Sequence, residues 1–430
     1  MDHAANSLLD MLLRRNPRFV LPEPWMRTCR QWIVPLLTVC GMCVSAADFS
    51  GRIKAFTSAS ELANTDVLEP TVESPLTDFR LDLRLMVKHS KGPIRFEFDP
   101  TLTWTGGDAV KVLRSTGLPL DQLPGNDSIR YFDWSDEIVS DGEHRLVSRI
   151  DRLSVAYRRA SWSLQIGRQA VSWGSGLVFQ PLDLFSPFAP TTIDREFKPG
   201  VDSVLFETLV GGSNELQLLW IGRQADLLRP DPNTVALKWN SEIGEFALDL
   251  IVAEHIGDGF TAFSLSLPVA GSLLRIETSR LCSDTSCTVS GLANVDYTFS
   301  VGPTLLYAFG EFYHNGFGLA RITDHVPDAV NERLARGELF TLMKNYGSLG
   351  LNVTWHPLWS QSLIYLSNLE DQSGLVQTAV NYEPGDASRM QFGISMPFGD
   401  ANTEFGKREL SDDVTTGGGA TLFLSLAYYF

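Results

Sequence analysis

The chain has 430 residues, 44% hydrophobic and 20% charged, with 35 Lys and Arg against 51 Asp and Glu. A formal net charge of −16 excludes the basic footprint that nucleic-acid binding requires. The remaining composition fits an ordinary globular domain and a membrane β-barrel equally well, so the pattern along the chain has to decide.

Near the start, Arg27 and Arg30 precede an apolar run from Trp32 to Val44 that exits through Ser45, Ala46 and Ala47. A basic flank, a short apolar stretch and a small-residue exit read as a cleaved secretory signal. The run is shorter than the roughly 20 apolar residues of a spanning helix. Asp2, Asp10 and Glu23 sit badly ahead of such a signal, whereas Met26 directly precedes Arg27. Residues 1–25 therefore read as an upstream extension before the true start, 26–46 as the signal, and 47–430 as one mature domain. Of five cysteines, Cys29, Cys40 and Cys43 fall in the signal. The close pair Cys282 and Cys287 then reads as a local disulfide in an oxidising compartment, with two free thiols as the alternative.

The mature chain alternates with period two, the mark of half-buried strands. Leu81, Leu83, Leu85 and Val87 alternate with Arg80, Asp82, Arg84, Met86 and Lys88; Ile94, Phe96, Phe98, Leu102 and Trp104 alternate with Arg95, Glu97, Asp99, Thr101 and Thr103. Strands are predicted to begin near residues 49, 78, 93, 147, 161, 200, 214, 233, 245, 260, 271, 290, 303, 346, 358, 374, 387 and 419. That is about 18 strands, with 16 as the alternative because 200–210, 214–222 and 358–369 are ambiguous in phase. Connections alternate between tight turns, such as 89–92, 211–213 and 356–357, and longer loops at 58–77, 105–146, 171–199, 316–345 and 398–418. Short periplasmic turns facing long outer loops are the asymmetry of an outer-membrane barrel. Many antiparallel strands with one apolar face span lipid only when closed. The expected fold is therefore all-β, a closed antiparallel transmembrane barrel with 49–57 pairing against 419–430.

The final strand places Leu422, Leu424, Leu426, Tyr428 and Phe430 on one face. It resembles the C-terminal insertion signal of outer-membrane barrels, which implies the barrel-assembly machinery as a partner, alongside outer-membrane lipid and lipopolysaccharide. Two further stretches, Phe185 to Asp202 and Gly310 to Gly316, together with Gly167-Arg168-Gln169 followed by Trp173-Gly174, resemble uncharacterised porin-like outer-membrane families, distantly including alginate-export barrels. These motifs imply no particular substrate.

Inward positions on the first four strands are predominantly basic. Arg52, Lys54, Arg80, Arg84, Lys88, Arg95, Arg152 and Arg158 face Asp82, Glu97 and Asp99 alone. Elsewhere the inward positions are mostly neutral: Ser264, Ser266, Asn294, Asn352, Thr354 and Gln391. A basic wall predicts preference for anionic solutes; the competing reading is cross-strand pairing with carboxylates. Loop 171–199 carries Trp173, Phe179, Phe185, Phe188 and several prolines, which are costly in open water. It is expected to fold inward as a constriction lined by Arg168, Asp194, Arg195, Glu196 and Lys198, with an external lid as the alternative. Acidic residues in the outer loops (Asp66, Glu69, Glu73, Asp133, Asp136, Glu137, Asp141, Glu143, Asp412 and Asp413) read as solvated, or as divalent-cation sites at a lipopolysaccharide surface. Segment 327–340 is predicted to hold a short amphipathic helix with Leu334, Leu339 and Phe340 on its apolar side.

The expected function is a porin or channel for small hydrophilic solutes, favouring anions, in the outer membrane of a Gram-negative bacterium. The alternatives are a barrel that exports a polymer or sheathes a periplasmic partner, and an outer-membrane hydrolase. His89, His144, His255, His314, His325 and His356 are scattered, and only His314 has an inward strand phase, with no serine beside it. No metal motif, catalytic residue or cofactor is predicted.

Overall fold

A computed structural model describes residues 47–430 apart from 64–65, 69–70, 116–126, 128, 213, 226–231, 323–325 and 412–413. The expected extension and signal (1–46), Glu69, His325, Asp412 and Asp413 lie outside the described residues. The chain begins with β1 (Ala47–Ser60), β2 (Leu76–Lys91), β3 (Ile94–Gly107), helix α1 (Asp108–Ser115), β4 (Ser135–Ser140), β5 (His144–Arg158) and β6 (Trp162–Gln169). There follow β7 (Val201–Val210), β8 (Asn214–Ile221), β9 (Thr234–Ile243), β10 (Phe246–His255), β11 (Asp258–Val269) and β12 (Ser272–Cys282). Next come β13 (Cys287–Val301), β14 (Thr304–His314), helix α2 (Asp328–Ala335), β15 (Asn345–His356) and β16 (Trp359–Asn368). The chain finishes with β17 (Gly374–Gly385), β18 (Ser388–Phe398), β19 (Arg408–Ser411), β20 (Val414–Thr416) and β21 (Thr421–Tyr429).

Each long strand pairs antiparallel with its sequence neighbour, and β21 pairs with both β18 and β1. The sheet therefore closes as an 18-strand antiparallel barrel. β4 is extra, a short strand paired to β5, and β19–β20 is a hairpin within the last long loop. Arg52 to Ser60 stand opposite Tyr429 to Thr421 along the closing seam. Closure satisfies the backbone groups that an open edge would leave bare. The tight turns have the chemistry that tight turns need. Between β11 and β12, Ala270 and Gly271 both have positive φ (52° and 86°), as a two-residue hairpin with the strand twist demands.

Alternation holds through the barrel wall. On β21, Leu422, Leu424, Leu426 and Tyr428 are exposed outward while Phe423, Ser425 and Ala427 are buried. Val252 (59%), Leu349 (61%) and Phe392 (57%) mark the same apolar outer belt, which is carried by strands. No helix among the described residues is long and apolar enough to cross a membrane. Cys282 and Cys287 form a disulfide across the β12–β13 turn.

Three features depart from a simple alternating wall. β8–β12 are apolar on both faces near the long-loop end, because Leu219, Ile221, Ala236, Ile251, Ala253 and Phe260 pack inside against Val171, Trp173, Leu182 and Phe185 of the 171–199 loop. That double-sided apolarity is why 214–222 has no clear phase in the sequence. On β5 the register slips opposite Asp99 and Pro100, which pair with Arg152 and Ile150. The bulge turns two successive residues, Asp151 and Arg152, to the interior. Helix α2 spans Asp328–Ala335 and buries Val330 and Arg333, a shorter helix than the predicted segment, and Leu339 is buried beyond it.

Candidate functional site

The interior is organised by loop 171–199. Its first half is held by two buried carboxylates on the barrel wall. Glu311 of β14 accepts hydrogen bonds from the backbone N–H groups of Leu177, Val178 and Phe179 at 2.6, 3.0 and 2.8 Å. Glu277 of β12 accepts from the Ser175 backbone and from its hydroxyl, the latter at 2.7 Å. Phe179 then stacks on Tyr313, with ring centroids 4.5 Å apart, and Trp173 Nε1 donates to Gln217 Oε1 at 3.1 Å. Backbone donors that would be orphaned inside a barrel are thus paired by side chains that would otherwise be unpaired acids.

The second half of the loop crosses to the opposite wall, where β1, β2, β3 and β5 present their basic side chains. Arg52 pairs with Asp82 and Glu196, each at 2.5 Å. Lys54 meets Asp194 at 2.9 Å and Glu196 at 3.6 Å, and Arg80 meets Asp194 at 3.2 Å. Burial raises the Asp194 carboxyl, but Lys54 and Arg80 outweigh it and hold the group below its ordinary value. The Phe197 ring lies between two guanidinium groups, 4.7 Å from that of Arg52 and 4.2 Å from that of Arg84. Arg84 in turn bonds Asp151 at 2.8 Å and approaches Asp99 at 3.5 Å. Arg152 donates to Asp151 Oδ2 at 2.8 Å and to the Lys198 carbonyl.

Between this wall and the loop lies a cavity of about 590 Å³. The wall contributes Arg52, Arg80, Asp82, Arg84, Arg149 and Asp151, and the loop contributes Phe188, Ile193, Asp194 and Phe197. Phe340, from the segment after α2, faces it as well. The lining is charged on one side and mainly apolar on the other. The arginines are matched by carboxylates from the same wall and from the loop, so the wall is less free than an unpaired count implies.

Other expected residues fall outside this cavity. Arg168 is fully buried, bonding Asp202 at 2.8 Å and Asp127, and donating to the Ile150 and Phe132 carbonyls. Arg195 is turned back on its own loop, donating to the carbonyls of Thr192, Leu177, Ala189 and Pro190, and Lys198 bonds Asp183. Arg95 and Arg158 are exposed at the short-turn end, where Lys88 pairs with Glu97 at 3.5 Å. His314 bonds Asn345 at 2.8 Å, but it is not the only inward histidine. His255, expected in a loop, is the last residue of β10 and is buried 2.8 Å from Thr234 Oγ1, because the strand runs farther than its apolar pattern. Of the outer-loop acids, Asp66 is buried and Glu137 pairs with Arg145 at 2.6 Å. Asp151, Glu277 and Glu311 are among the inward acids that sequence reading missed. Asp151 is hidden by the bulge, and Glu277 and Glu311 gain meaning only beside a loop more than a hundred residues away.

No protein-family model matches the chain, and no curated protein matches it. Its fold is shared with solved outer-membrane barrels. OccAB1 of Acinetobacter baumannii superposes with a TM-score of 0.52 at 10% identity, covering 89% of this chain and 96% of that one. OpdK of Pseudomonas aeruginosa gives 0.52 at 9% identity, over 89% and 98% of the two chains. Wzi of Escherichia coli, described as a carbohydrate-binding barrel involved in group 1 capsule assembly, gives 0.51 at 11% identity, over 92% and 87%. At such identities the likeness establishes the 18-strand barrel fold.

Proposed function

We propose that the chain is an outer-membrane channel of a Gram-negative bacterium that admits small hydrophilic solutes and favours anions. The observation that carries this reading is the cavity of about 590 Å³ in which an inward loop faces Arg52, Arg80, Arg84 and Arg149. The apolar outer belt fits lipid, and an enclosed barrel with a charged interior fits aqueous passage. The aromatic end of β21 fits recognition by the barrel-assembly machinery, and the exposed loop acids fit a lipopolysaccharide surface. A polymer conduit or a sheath for a periplasmic partner needs a wide lumen, and loop 171–199 occupies that space. A hydrolase needs an activated nucleophile. His314 contacts Asn345, and the Thr234 hydroxyl beside His255 is fully buried along with that imidazole, closed to a substrate.

The test is single-channel recording of the refolded protein in a planar bilayer under a KCl gradient. Stable conductance steps with a reversal potential on the chloride side are expected. A folded, heat-modifiable barrel without conductance would sink the channel reading.

A further inference from the structure

Near the long-loop ends of β5, β6 and β8 a second group of arginines gathers around one carboxylate. Arg149 Nε donates to Asp127 Oδ1 at 2.6 Å, and Arg168 bonds the other Asp127 oxygen. Arg130 N donates to the Asp127 carbonyl at 2.8 Å, and Arg130 forms an isolated antiparallel bridge with Arg223. Arg223 is engaged with the Pro232 carbonyl and Thr234 Oγ1 at 3.0 and 2.9 Å. Two guanidinium groups thus bond Asp127, those of Arg130 and Arg223 lie nearby, and Asp202 bonds only Arg168 among the four.

The Arg130 side chain is the unusual member. It is 7% exposed and makes no hydrogen bond or ion pair among the described residues. Its Nε is buried without an acceptor, and so is Nη2 of the neighbouring Arg149. Burial and the Arg149 charge push Arg130 down to about 9, against the pull of Asp127. A buried guanidinium with no carboxylate bonded to it is unfavourable, and an unpaired N–H donor on each of two mutually repelling arginines favours acceptor oxygens. The planar donors of arginine match oxyanions better than they match a spherical halide.

We propose that Arg130 Nε and Arg149 Nη2 bind a tetrahedral oxyanion of the sulfate or phosphate class, which ties Arg130 to β5. Arg149 also faces the large cavity, so the site borders it without depending on whether solute passes there.

The test uses the refolded full chain in detergent and a chloride buffer. Sodium sulfate and sodium phosphate are titrated at constant ionic strength, with calorimetry for binding and the urea midpoint for stability. Saturable binding and a rising midpoint are expected for the parent. Arg130→Gln is expected to abolish the anion response while standing at least as firm as the parent in chloride, since an unpaired buried charge has gone. If that variant does not refold, Arg130→Lys serves, with anion affinity at least about tenfold weaker because the Nε donor is lost. Sulfate and phosphate acting on the parent no differently from chloride would overturn the proposal. So would either variant binding sulfate as the parent does.

Discussion

Asp151 stands 2.8 Å from Arg84 across the intervening strand β3, joining β5 to β2 inside the barrel. The same carboxylate bonds Arg152 at 2.8 Å, lies 3.6 Å from Arg149, and accepts the Gly200 backbone N–H at 3.2 Å. It is the common counter-charge of three arginines, placed there by the β5 bulge.

Removal of that counter-charge leaves buried cations facing one another. Asp151→Ala is expected to lower stability by about 3–5 kcal/mol, with Asp151→Asn intermediate. Urea unfolding of the refolded barrel measures it. Parent-like midpoints for both variants would show that the network contributes nothing net.

Asp194 and Glu196 occupy the donors of Arg52, Lys54 and Arg80 that a passing anion would use. Asp194→Asn with Glu196→Gln is expected to release those cations and move the reversal potential further toward chloride, with larger single-channel steps. A shift toward cation preference would contradict the assigned role of this wall.

Glu311 is the acceptor for three consecutive backbone N–H groups. Glu311→Ala strands them in a place that water reaches poorly, at about 1–3 kcal/mol for each unsatisfied group. The expected outcome is a looser 175–179 segment, seen as faster proteolysis there and noisier channel recordings. Cleavage at the parent rate would mean that the aromatic contacts of Phe179 suffice.

Glu338 follows α2 and pairs with Arg333 and Arg336, each at 2.8 Å, with His255 at 3.6 Å. Burial raises this carboxyl, but His255, Arg336 and Arg333 overcome it and hold it at about 2. A value depressed below that of the unfolded chain means stabilisation that is fully present above about pH 4.5 and lost as pH falls through about 2. Amide exchange in the segment 326–344 should therefore quicken, after correction for intrinsic rates, as pH falls below about 4. Glu338→Gln should abolish that extra acid sensitivity.

Strand number and pairing were legible because period-two alternation is broken by tight turns, and a single slip of register would expose the wrong face. The pairing of 49–57 with 419–430 followed from closure alone. The loop interior was only half legible. The aromatics of 171–199 pointed inward, but nothing local distinguishes Asp194 and Glu196, which meet the wall, from Arg195, which folds back on its own carbonyls. Arg168 has the right strand phase and still misses the cavity, since its partners Asp127 and Asp202 lie on separate elements. Helix α1 within the 105–146 loop gave no warning, being too short to develop a periodic signature.

Glu196 has one further bearing. Its two oxygens reach Arg52 on β1 and the Tyr429 hydroxyl on β21, at 2.5 and 2.7 Å, and those two residues stand directly opposite each other on the closing seam. The first and last strands therefore have to meet before this contact exists, and a chain with its ends still apart has nowhere to dock the loop in full. This one contact orders the last step of docking: Glu196 joins both end strands only after the ring is complete. An intermediate arrested before the seam forms should hold a loop that proteases can still reach.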